Sequence, residues 1–396
     1  MPEEPFVVVG ASLAGLRAVE SARKSGYTGR LILVGAEEHL PYDRPPLSKT
    51  FLDPGDEPAM PHHRTEDELR ALDVELRLGV PATALDTAGR EIILGDDEWL
   101  RYERLVIATG ARARQLPGKQ LDGMHTLRTV EDARSIRRAL DAGCRTVVVG
   151  GGFIGSEVAS AARKRDVDVT ILEAAPLPLV RAVGEQMAAP CADLHARNGT
   201  ELRCGVSVTG LEGEGRVEGV ALSDGSVLPA DLVVVGIGAD PVTDWLIASG
   251  LHVEDGVVCD ETLRAGPEVY AAGDVARWHN ALFGRTMRLE HWTSAAEQGA
   301  AAARNALAPA RATPYSAVPY FWSDWYRDKL QMVGITAADE VTVIGDLDDA
   351  RWLALYRQDD LLVGTLGLNM PGKIMKYRAM IGWRTAWQDA LAFAGR

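Results

Sequence analysis

Short apolar runs that end in glycine divide this chain into strand and helix segments, and one such arrangement occurs twice. Each copy is an apolar run, a helical stretch and a second apolar run, which together predict a βαβ unit. The two copies comprise residues 6–10, 13–24 and 30–35, and then residues 144–150, 153–164 and 168–173. Such units build parallel sheets through right-handed crossovers.

Three further apolar runs surround the second copy, at residues 105–110, 232–238 and 269–274. The first precedes the second βαβ unit and the other two follow it. This order predicts that the second unit is inserted into the first domain. The predicted domains are therefore residues 1–112 with 240–312, which are discontinuous, and residues 113–239.

From about residue 313 the pattern changes to a cluster of aromatic residues followed by alternating strands. The strands are predicted at residues 331–335, 341–345, 352–358 and 361–368, and one terminal helix at 371–392. Residues 313–396 are thus predicted to form a small α+β domain. The fold class is α/β, with two Rossmann-like dinucleotide-binding domains and this C-terminal domain, and 396 residues suit two or three domains.

The first glycine loop follows the first strand and has Gly10, Ser12 and Gly15 at the spacing G-x-G-x-x-G, with serine in the middle. Gly10 permits a sharp turn, Gly15 permits close packing of the helix, and the exposed N–H groups bind pyrophosphate. Glu37 lies about 20 residues farther on, where an acid that bonds ribose is expected. The alternative is a tight turn followed by a surface glutamate.

The second glycine loop has all three glycines, Gly150, Gly152 and Gly155, and Glu173 ends the next strand. A carboxylate there accepts hydrogen bonds from ribose and repels a 2′-phosphate, and the next two residues are alanines. NADH is therefore predicted over NADPH, although Arg181 is close enough to keep NADPH open. The alternative is a purely structural turn.

Two such loops predict two dinucleotides, and FAD with NAD(H) is the usual combination. Gly273 and Asp274 follow a strand and fit an FAD site, with Asp274 accepting from ribityl or phosphate-side groups. Residues 1–112 with 240–312 are accordingly predicted to bind FAD, and residues 113–239 to bind NAD.

Charge and cysteine usage exclude several other functions. The formal charge of −14 argues against nucleic acid or an anionic membrane as the main partner. The four cysteines, at positions 144, 191, 204 and 259, form no C-x-x-C pair and no metal-ligand spacing, so no metal site is predicted. The acidic start lacks signal-peptide features and no apolar run is long enough to span a bilayer, which predicts a cytoplasmic location.

Together these features resemble the putidaredoxin reductase type of ferredoxin reductase, within the glutathione reductase-like flavoprotein superfamily. The resemblance covers nearly the whole chain. Its most specific stretches are residues 40–49 (LPYDRPPLSK), 152–157 (GFIGSE), 290–295 (EHWTSA) and 319–324 (PYFWSD).

The resemblance implies roles for individual residues. FAD contacts match Ala14, Glu37, Arg44, Lys49, Ala82, Arg128, Asp274 and Trp292, and nicotinamide-side positions match Gly152, Ile154, Glu157, Glu173 and Gly238. The family's counterparts of Lys49 and Glu157 form an ion pair near the reactive edge of the flavin, and Trp322 matches an aromatic residue that faces it. The motifs add Gly10, Ser12, Gly15, Ala108, Thr109, Gly110, Gly150, Phe153, Gly155, Gly273, Glu290 and His291 to the predicted cofactor site.

Two residues depart from the family pattern near the predicted nicotinamide and flavin region. Ser156 replaces a larger apolar residue, and Trp325 occupies a position expected to be polar. These departures bear on kinetics or partner choice more than on the reaction.

The disulfide reductases of this superfamily carry a cysteine pair on the helix after the first βαβ unit, where this chain reads PPLSK. The single cysteine of the related NADH peroxidases and oxidases is missing there too. Electrons are therefore predicted to leave the flavin directly. The predicted enzyme is an NADH-dependent ferredoxin reductase, which passes single electrons to an iron–sulfur ferredoxin, [2Fe–2S] by expectation, that feeds a haem or non-haem iron oxygenase.

A second hypothesis is an NADH-responsive flavoprotein oxidase or redox sensor of the apoptosis-inducing-factor kind. The short C-terminal domain argues against it. Because ferredoxins are typically acidic, docking requires a local basic patch, and the candidates are Arg277, Arg285, Arg288, Arg311 and Arg327. Both a monomer and a homodimer are compatible with the sequence.

Overall fold

A computed structural model describes residues 4–95 and 97–395. Its residues form two compact units, Met1–Asp43 with Met60–Arg112 and Asp240–Pro319, and Arg44–Ala59 with Ala113–Ala239 and Tyr320–Arg396. We call them the first and the second unit.

The strands are, in chain order, β1 Phe6–Val9, β2 Leu31–Val34, β3 Glu75–Arg77, β4 Ala82–Asp86, β5 Glu91–Leu94, β6 Glu98–Arg101, β7 Arg104–Ile107, β8 Ala111–Ala113, β9 Met124–Thr126, β10 Thr146–Val149, β11 Val169–Glu173, β12 Glu201–Cys204, β13 Val208–Glu212, β14 Gly219–Leu222, β15 Val227–Pro229, β16 Leu232–Val235, β17 Ala239–Pro241, β18 Val257–Cys259, β19 Arg264–Gly266, β20 Val269–Ala271, β21 Ala276–Asn280, β22 Arg285–Arg288, β23 Tyr320–Trp325, β24 Asp328–Gly334, β25 Glu340–Ile344, β26 Trp352–Gln358 and β27 Leu361–Leu368. The α-helices are α1 Leu13–Lys24, α2 Glu66–Ala71, α3 Val130–Asp141, α4 Phe153–Arg163, α5 Val180–Val183, α6 Glu185–Arg197, α7 Trp292–Leu307, α8 Pro371–Gly382 and α9 Trp387–Ala394. Short 3₁₀ turns occupy Pro45–Ser48, Thr50–Leu52, Asp244–Leu246, Gly273–Val275 and Pro309–Arg311.

The first unit is built on a six-stranded sheet in the order β19-β20-β7-β1-β2-β3. Strand β1 pairs in parallel with both β2 and β7, so that Phe6 lies opposite Leu31 on one side and Arg104 on the other. All four residues of β1 are buried, as expected for a central parallel strand covered on both faces. Helix α7 packs closely on α1, because a Cβ at Gly299 would lie 2.1 Å from the carbonyl oxygen of Ala14.

The second unit contains a parallel five-stranded sheet in the order β12-β11-β10-β16-β9 and an antiparallel five-stranded sheet in the order β23-β24-β27-β26-β25. Helix α6 packs against the antiparallel sheet: Met187 and Cys191 share one buried apolar core with Trp325, Trp352 and Tyr356. The C-terminal strands therefore share a core with α6, the helix that follows the second βαβ unit.

The predicted fold class is confirmed, because both repeated βαβ units form at the expected places with only their ends trimmed. The domain boundaries at residues 112, 240 and 313 remain predictions. The segment Arg44–Ala59, which was predicted in the first domain, belongs to the second compact unit.

The predicted single terminal helix is wrong, since the chain forms α8 and α9 with a break between them. Arg384 adopts a left-handed φ of 54° in that break. The backbone there pairs with β27 instead, with Leu362 N donating to Thr385 O at 3.2 Å and Ala386 bridging to Leu361. The aromatic cluster after residue 319 forms β23, which the sequence pattern did not predict as a strand. No helix in the described part of the chain is long and apolar enough to cross a membrane.

Candidate functional site

The first glycine loop connects β1 to α1 and forces the backbone into a conformation that side chains disfavour. Gly10 has a φ of 119°, and a Cβ there would lie 2.0 Å from the carbonyl oxygen of Ala108. A Cβ at Gly15 would lie 1.8 Å from the carbonyl oxygen of Gly10. The loop therefore requires glycine at both ends, while Ser12 is accommodated at the helix N-cap with a φ of −106°.

The other predicted residues of the first unit lie at the ends of neighbouring elements. Gly273, at the start of a 3₁₀ turn after β20, approaches α1 closely, since a Cβ there would lie 3.1 Å from that of Ala14. Its N–H donates to Gln298 Oε1 at 2.8 Å, which fixes the turn that carries Asp274. Thr109 donates its hydroxyl to Val242 O at 2.8 Å, next to Gly110, whose φ is 68°.

Three predicted residues of the first unit are held by polar contacts of their own. Glu37, three residues beyond the end of β2 at Val34, accepts a hydrogen bond from Tyr42 Oη at 2.5 Å. Trp292 donates its indole N–H to Asp43 Oδ1 at 2.7 Å. Glu290 accepts from Arg288 at 2.8 Å.

Two further residues of the first unit were predicted at the cofactor site. Burial lowers the pKa of His291 to about 4, against an opposing effect of the Asp274 carboxylate. Ala82 begins β4, in a separate three-stranded antiparallel sheet. Ala82 packs against the apolar core that also contains Ala14 of α1.

The second glycine loop connects β10 to α4 with the same backbone geometry. Gly150 has a φ of 107°, and a Cβ at Gly155 would lie 2.2 Å from the carbonyl oxygen of Gly150. The middle glycine differs, because a Cβ at Gly152 would meet nothing closer than Gly236 O at 3.8 Å. Packing therefore does not require glycine at position 152, and the absence of a side chain there leaves the loop open to a ligand.

Glu173, the last residue of β11, is fixed beside this loop by backbone donors. One carboxylate oxygen accepts from Gly151 N at 2.9 Å and the other from Ala175 N at 2.8 Å. Two N–H donors hold the carboxylate in one orientation. Gly238 lies between β16 and β17, with a φ of 104°. Arg181 is exposed and lies on α5.

Lys49 and Glu157 form a buried ion pair within the second unit. Lys49 Nζ lies 2.8 Å from Glu157 Oε1, and the Glu157 side chain is only 2% exposed. The same oxygen accepts from Ser323 Oγ at 2.5 Å and from Asp324 N at 3.3 Å, while Oε2 accepts from the hydroxyl of Ser48. A buried carboxylate needs such compensation, and here one cation and three further donors provide it.

The remaining predicted residues of the second unit lie around this pair or on the same elements. Arg44 donates to the carbonyl oxygen of Arg128 at 2.5 Å, so these two predicted residues meet. Phe153, at the start of α4, packs against Phe321 with ring centroids 4.6 Å apart, and Ile154 beside it is exposed. Trp322 stacks on Tyr320 with ring centroids 5.8 Å apart.

A buried polar cluster next to Glu157 was not predicted from the sequence. Ser156 Oγ lies 3.2 Å from Nε2 of His195, and Nδ1 of His195 lies 2.7 Å from Tyr326 Oη, which also contacts Thr200 at 2.8 Å. Trp325 stacks on the His195 ring with centroids 4.9 Å apart. Burial lowers the pKa of His195 to about 4. In the sequence, only the two departures from the family pattern, Ser156 and Trp325, pointed to this cluster.

The cysteines have the environment of packing residues. Cys191 and Cys259 are buried, and burial raises the pKa of each thiol to about 12. Cys144 and Cys204 are half-buried, and all four are free thiols. A thiol that stays protonated is a poor nucleophile, which agrees with electrons leaving by a route that uses no thiol.

Both loops fit dinucleotides on their own geometry. In each loop a glycine turn leads into a helix N-terminus. The first and last glycines have no room for a Cβ, whereas the middle position of the second loop is open. Such N-termini bind pyrophosphate through their N–H groups and helix dipole.

Comparison with known proteins agrees with this geometry. A family model described as pyridine nucleotide-disulphide oxidoreductase matches residues 4–299, and one described as reductase C-terminal matches residues 320–394. The putidaredoxin reductase CamA of Pseudomonas putida is 37% identical over 386 residues, covering 95% of this chain and 91% of the relative. The ferredoxin–NAD(+) reductase component of the biphenyl dioxygenase system of Paraburkholderia xenovorans is 36% identical over 388 residues, covering 97% and 94%.

Solved structures show the same similarity. The crystal structure of the covalent putidaredoxin reductase–putidaredoxin complex matches with a TM-score of 0.92 and 36% identity, covering 97% of this chain and 94% of that chain. A ferredoxin reductase from Rhodopseudomonas palustris matches with a TM-score of 0.92 and 34% identity, covering 97% and 96%.

The chain therefore belongs to the pyridine nucleotide-disulphide oxidoreductase family, and within it to the ferredoxin reductases of the putidaredoxin reductase type. Its cofactors are FAD and NAD(H).

Proposed function

We propose that this member of the family takes hydride from NADH onto FAD and passes the electrons singly to an iron–sulfur ferredoxin that serves an oxygenase. The observation that carries this proposal is the buried Lys49–Glu157 pair, next to a segment, Pro45–Lys49, that contains no cysteine. The named relatives are reductases of this kind, including a component of a dioxygenase system.

FAD, when bound, accepts a hydride and releases its two electrons one at a time, which links a two-electron donor to a one-electron acceptor. The protein's part is to position and to stabilise charge. We propose that Lys49 supplies the fixed positive charge that favours hydride arrival, because an ammonium held in a buried site needs no reorganisation during the reaction. Glu157 holds Lys49 in place through the 2.8 Å ion pair.

The glycine loops supply the two binding positions. In the first unit, the N-terminus of α1, Glu37 and the Gly273–Asp274 turn are proposed to hold FAD. In the second unit, the N-terminus of α4 and Glu173 are proposed to hold NADH, with Trp322 and Phe153 as apolar neighbours. Because the Glu173 carboxylate accepts two backbone N–H groups at 2.9 and 2.8 Å, it is held beside the loop, where it repels a 2′-phosphate. NADH is therefore proposed over NADPH.

The arginines predicted for ferredoxin docking differ in their surroundings. Arg277 pairs with Glu254 at 2.7 Å, and Arg288 pairs with both Asp255 and Glu290. These two are neutralised locally and are weaker candidates. Among the described residues, no carboxylate forms an ion pair with Arg285, Arg311 or Arg327, and all three are exposed.

Helix α8 and the turn after it offer a further basic surface that the sequence analysis did not single out. Residues 371–386 contain four basic residues and no acidic one, in a chain whose formal charge is −14. Lys376 and Arg384 are exposed, and Trp383 between them is 77% exposed. A large exposed aromatic side chain within a basic surface suits docking of an acidic protein. We propose this surface as a contact for ferredoxin, and Arg285, in the first unit, stays a separate candidate.

The test of the proposed function is ferredoxin-dependent reduction of cytochrome c by NADH. Activity that rises with added ferredoxin supports the proposal, while equal activity without ferredoxin, with oxygen as acceptor, contradicts it. Lys376→Glu is expected to raise KM for ferredoxin about threefold to tenfold at low salt, and high salt should remove the difference. Lys24→Glu, a charge reversal at an exposed lysine of α1, is the matched control.

No observation favours the alternative of a redox sensor of the apoptosis-inducing-factor kind, since the named relatives are reductase components. A [2Fe–2S] cluster in the partner, a cytoplasmic location, and a monomer or homodimer remain proposals from the sequence.

A further inference from the structure

Trp325 and Ser323 share one face of strand β23, since they are two residues apart. Trp325 is 1% exposed and Ser323 is fully buried. The Trp325 indole N–H donates to Ser323 Oγ at 2.8 Å, and Ser323 Oγ lies 2.5 Å from Glu157 Oε1. The three groups form a continuous chain of hydrogen bonds that ends at the Lys49–Glu157 pair.

The direction of this chain follows from the chemistry of its members. An indole N–H can only donate, and an ionised carboxylate can only accept. Ser323 therefore accepts from Trp325 and has its single hydroxyl proton left for Glu157. Hydrogen bonds in such a chain strengthen one another when they share one direction.

The position of the indole is itself fixed by the buried cluster behind it. Trp325 stacks on His195, whose two ring nitrogens lie within hydrogen-bond distance of Ser156 and Tyr326. Two ionisable residues among those described contact Glu157 itself, Lys49 and Asp324. Two more, His195 on α6 and Tyr326 after β23, lie behind Trp325. Asp324 reaches Glu157 through its backbone N–H, while its carboxylate pairs with Lys329 at 2.7 Å.

We propose that Trp325 is a positioning residue, whose indole N–H directs the Ser323 hydroxyl onto Glu157 and so keeps that carboxylate aimed at Lys49. This role explains why an aromatic residue occupies a position expected to be polar, because the indole supplies the polar group through its N–H. The inference rests on the proposed function only in assigning the Lys49–Glu157 pair to hydride transfer.

The test compares three substitutions in the FAD-loaded enzyme: Trp325→Phe, Ser323→Ala and, as a matched control, Trp352→Phe. Trp352 is an equally buried tryptophan in the same apolar core. The first readout is the carboxylate stretching band of Glu157, obtained by infrared difference spectroscopy against Glu157→Gln. We expect the band to shift in Trp325→Phe and Ser323→Ala and to stay in place in Trp352→Phe.

The second readout is the rate of flavin reduction by NADH in a double-mutant cycle. Trp325→Phe should slow this rate about threefold to tenfold, the scale of one hydrogen bond. In the Glu157→Gln background the same substitution should have almost no effect, because the acceptor charge is gone. A loss of packing alone would slow both backgrounds equally.

An unshifted carboxylate band in Trp325→Phe, or an equal loss of rate in both backgrounds, would overturn the inference. If Trp325→Phe does not fold, benzothienylalanine at position 325 keeps the ring shape and replaces N–H by sulfur, and the same two readouts apply. Neither readout uses an electron acceptor. A failure to reduce ferredoxin would therefore refute the proposed function without affecting this test.

Discussion

The two βαβ units share one loop geometry but differ in what the following helix buries. When Gly15 is aligned with Gly155, Leu16 corresponds to Ser156 and Arg17 corresponds to Glu157. Arg17 pairs with Glu20 and is 30% exposed, whereas Glu157 pairs with Lys49 and is 2% exposed. The same helix position thus carries a surface ion pair in one unit and a buried one in the other.

We interpret this difference as one between a helix that binds a dinucleotide and a helix that also supports hydride transfer. An exposed ion pair contributes little to stability, and a buried one costs desolvation that stability alone does not favour. Helix α4 nevertheless buries three polar residues, Ser156, Glu157 and Ser160. The aligned residues of α1 are Leu16, Arg17 and Glu20, of which only Leu16 is buried. On the proposed function, the first unit needs its helix only to hold a dinucleotide, while the second also uses its helix to place charge.

The largest expected effect comes from removing this buried charge. Glu157→Gln should slow flavin reduction by NADH about 100-fold to 1,000-fold, the cost of losing one preorganised electrostatic group. Arg17→Gln, at the aligned position of the first unit, should leave the rate unchanged. Anaerobic stopped-flow measurement of flavin reduction checks both, and equal rates in the two variants would remove the distinction between the helices.

The next comparison concerns the glutamate at the end of each βαβ unit, Glu37 in the first and Glu173 in the second. Glu173→Gln keeps the size of the side chain but removes the charge fixed by Gly151 N and Ala175 N. We expect the ratio of kcat/KM for NADH to that for NADPH to fall about tenfold, because the repulsion of the 2′-phosphate is lost. Glu37→Gln should leave this ratio unchanged. A ratio that is insensitive to Glu173→Gln contradicts the assignment of the second loop.

The middle residues of the loops give a smaller and more specific effect. Gly152→Ser copies the first loop into the second, and the backbone accommodates it because Gly152 has a φ of −81° and open space around its Cβ position. We expect KM for NADH to rise about threefold to tenfold, since the hydroxymethyl group obstructs the pyrophosphate approach. Thermal stability should not change. Ser12→Gly is the reciprocal control and should leave KM for NADH as it is.

The last comparison concerns stability in acid rather than a rate or KM. Burial lowers the pKa of His195 to about 4, so between about pH 6.5 and 4 the unfolded chain binds a proton that the folded chain does not. Stability contributed by neutral His195 is present above pH 6.5 and is lost as the pH falls toward 4, by on the order of 3 kcal/mol at most. His195→Gln should reduce the fall of Tm over this range, and a fall as steep as in the wild type contradicts this.

The sequence predicted the backbone of both sites because glycine positions and strand ends are local features. Gly15 and Gly155 are each required by a carbonyl oxygen five residues earlier, and Gly10 and Gly150 by their own φ of 119° and 107° together with contacts to Ala108 and Gly236, just after other strands. The pattern reveals all four, because the spacing of the glycines is local. The Lys49–Glu157 pair came from the family resemblance, and the structure brings its two members together.

The partners of Glu157 and the His195 cluster could not be predicted in the same way. Ser48 and Ser323 reach Glu157 from segments more than a hundred residues away, Trp325 acts on it through Ser323, and His195 joins Tyr326 across a similar separation. Their relation depends on how α4, α6 and β23 pack, which no local pattern contains. The interruption between α8 and α9 was missed for the same reason, since pairing with β27 overrides the helical propensity there.

The central claim is that electrons enter from NADH and leave directly to ferredoxin, and the visible spectrum of the anaerobic protein tests it most directly. The account predicts a yellow protein that bleaches when NADH is added and recovers its colour when oxidised ferredoxin is supplied. A protein that bleaches with NADH but does not recover with ferredoxin would contradict the account.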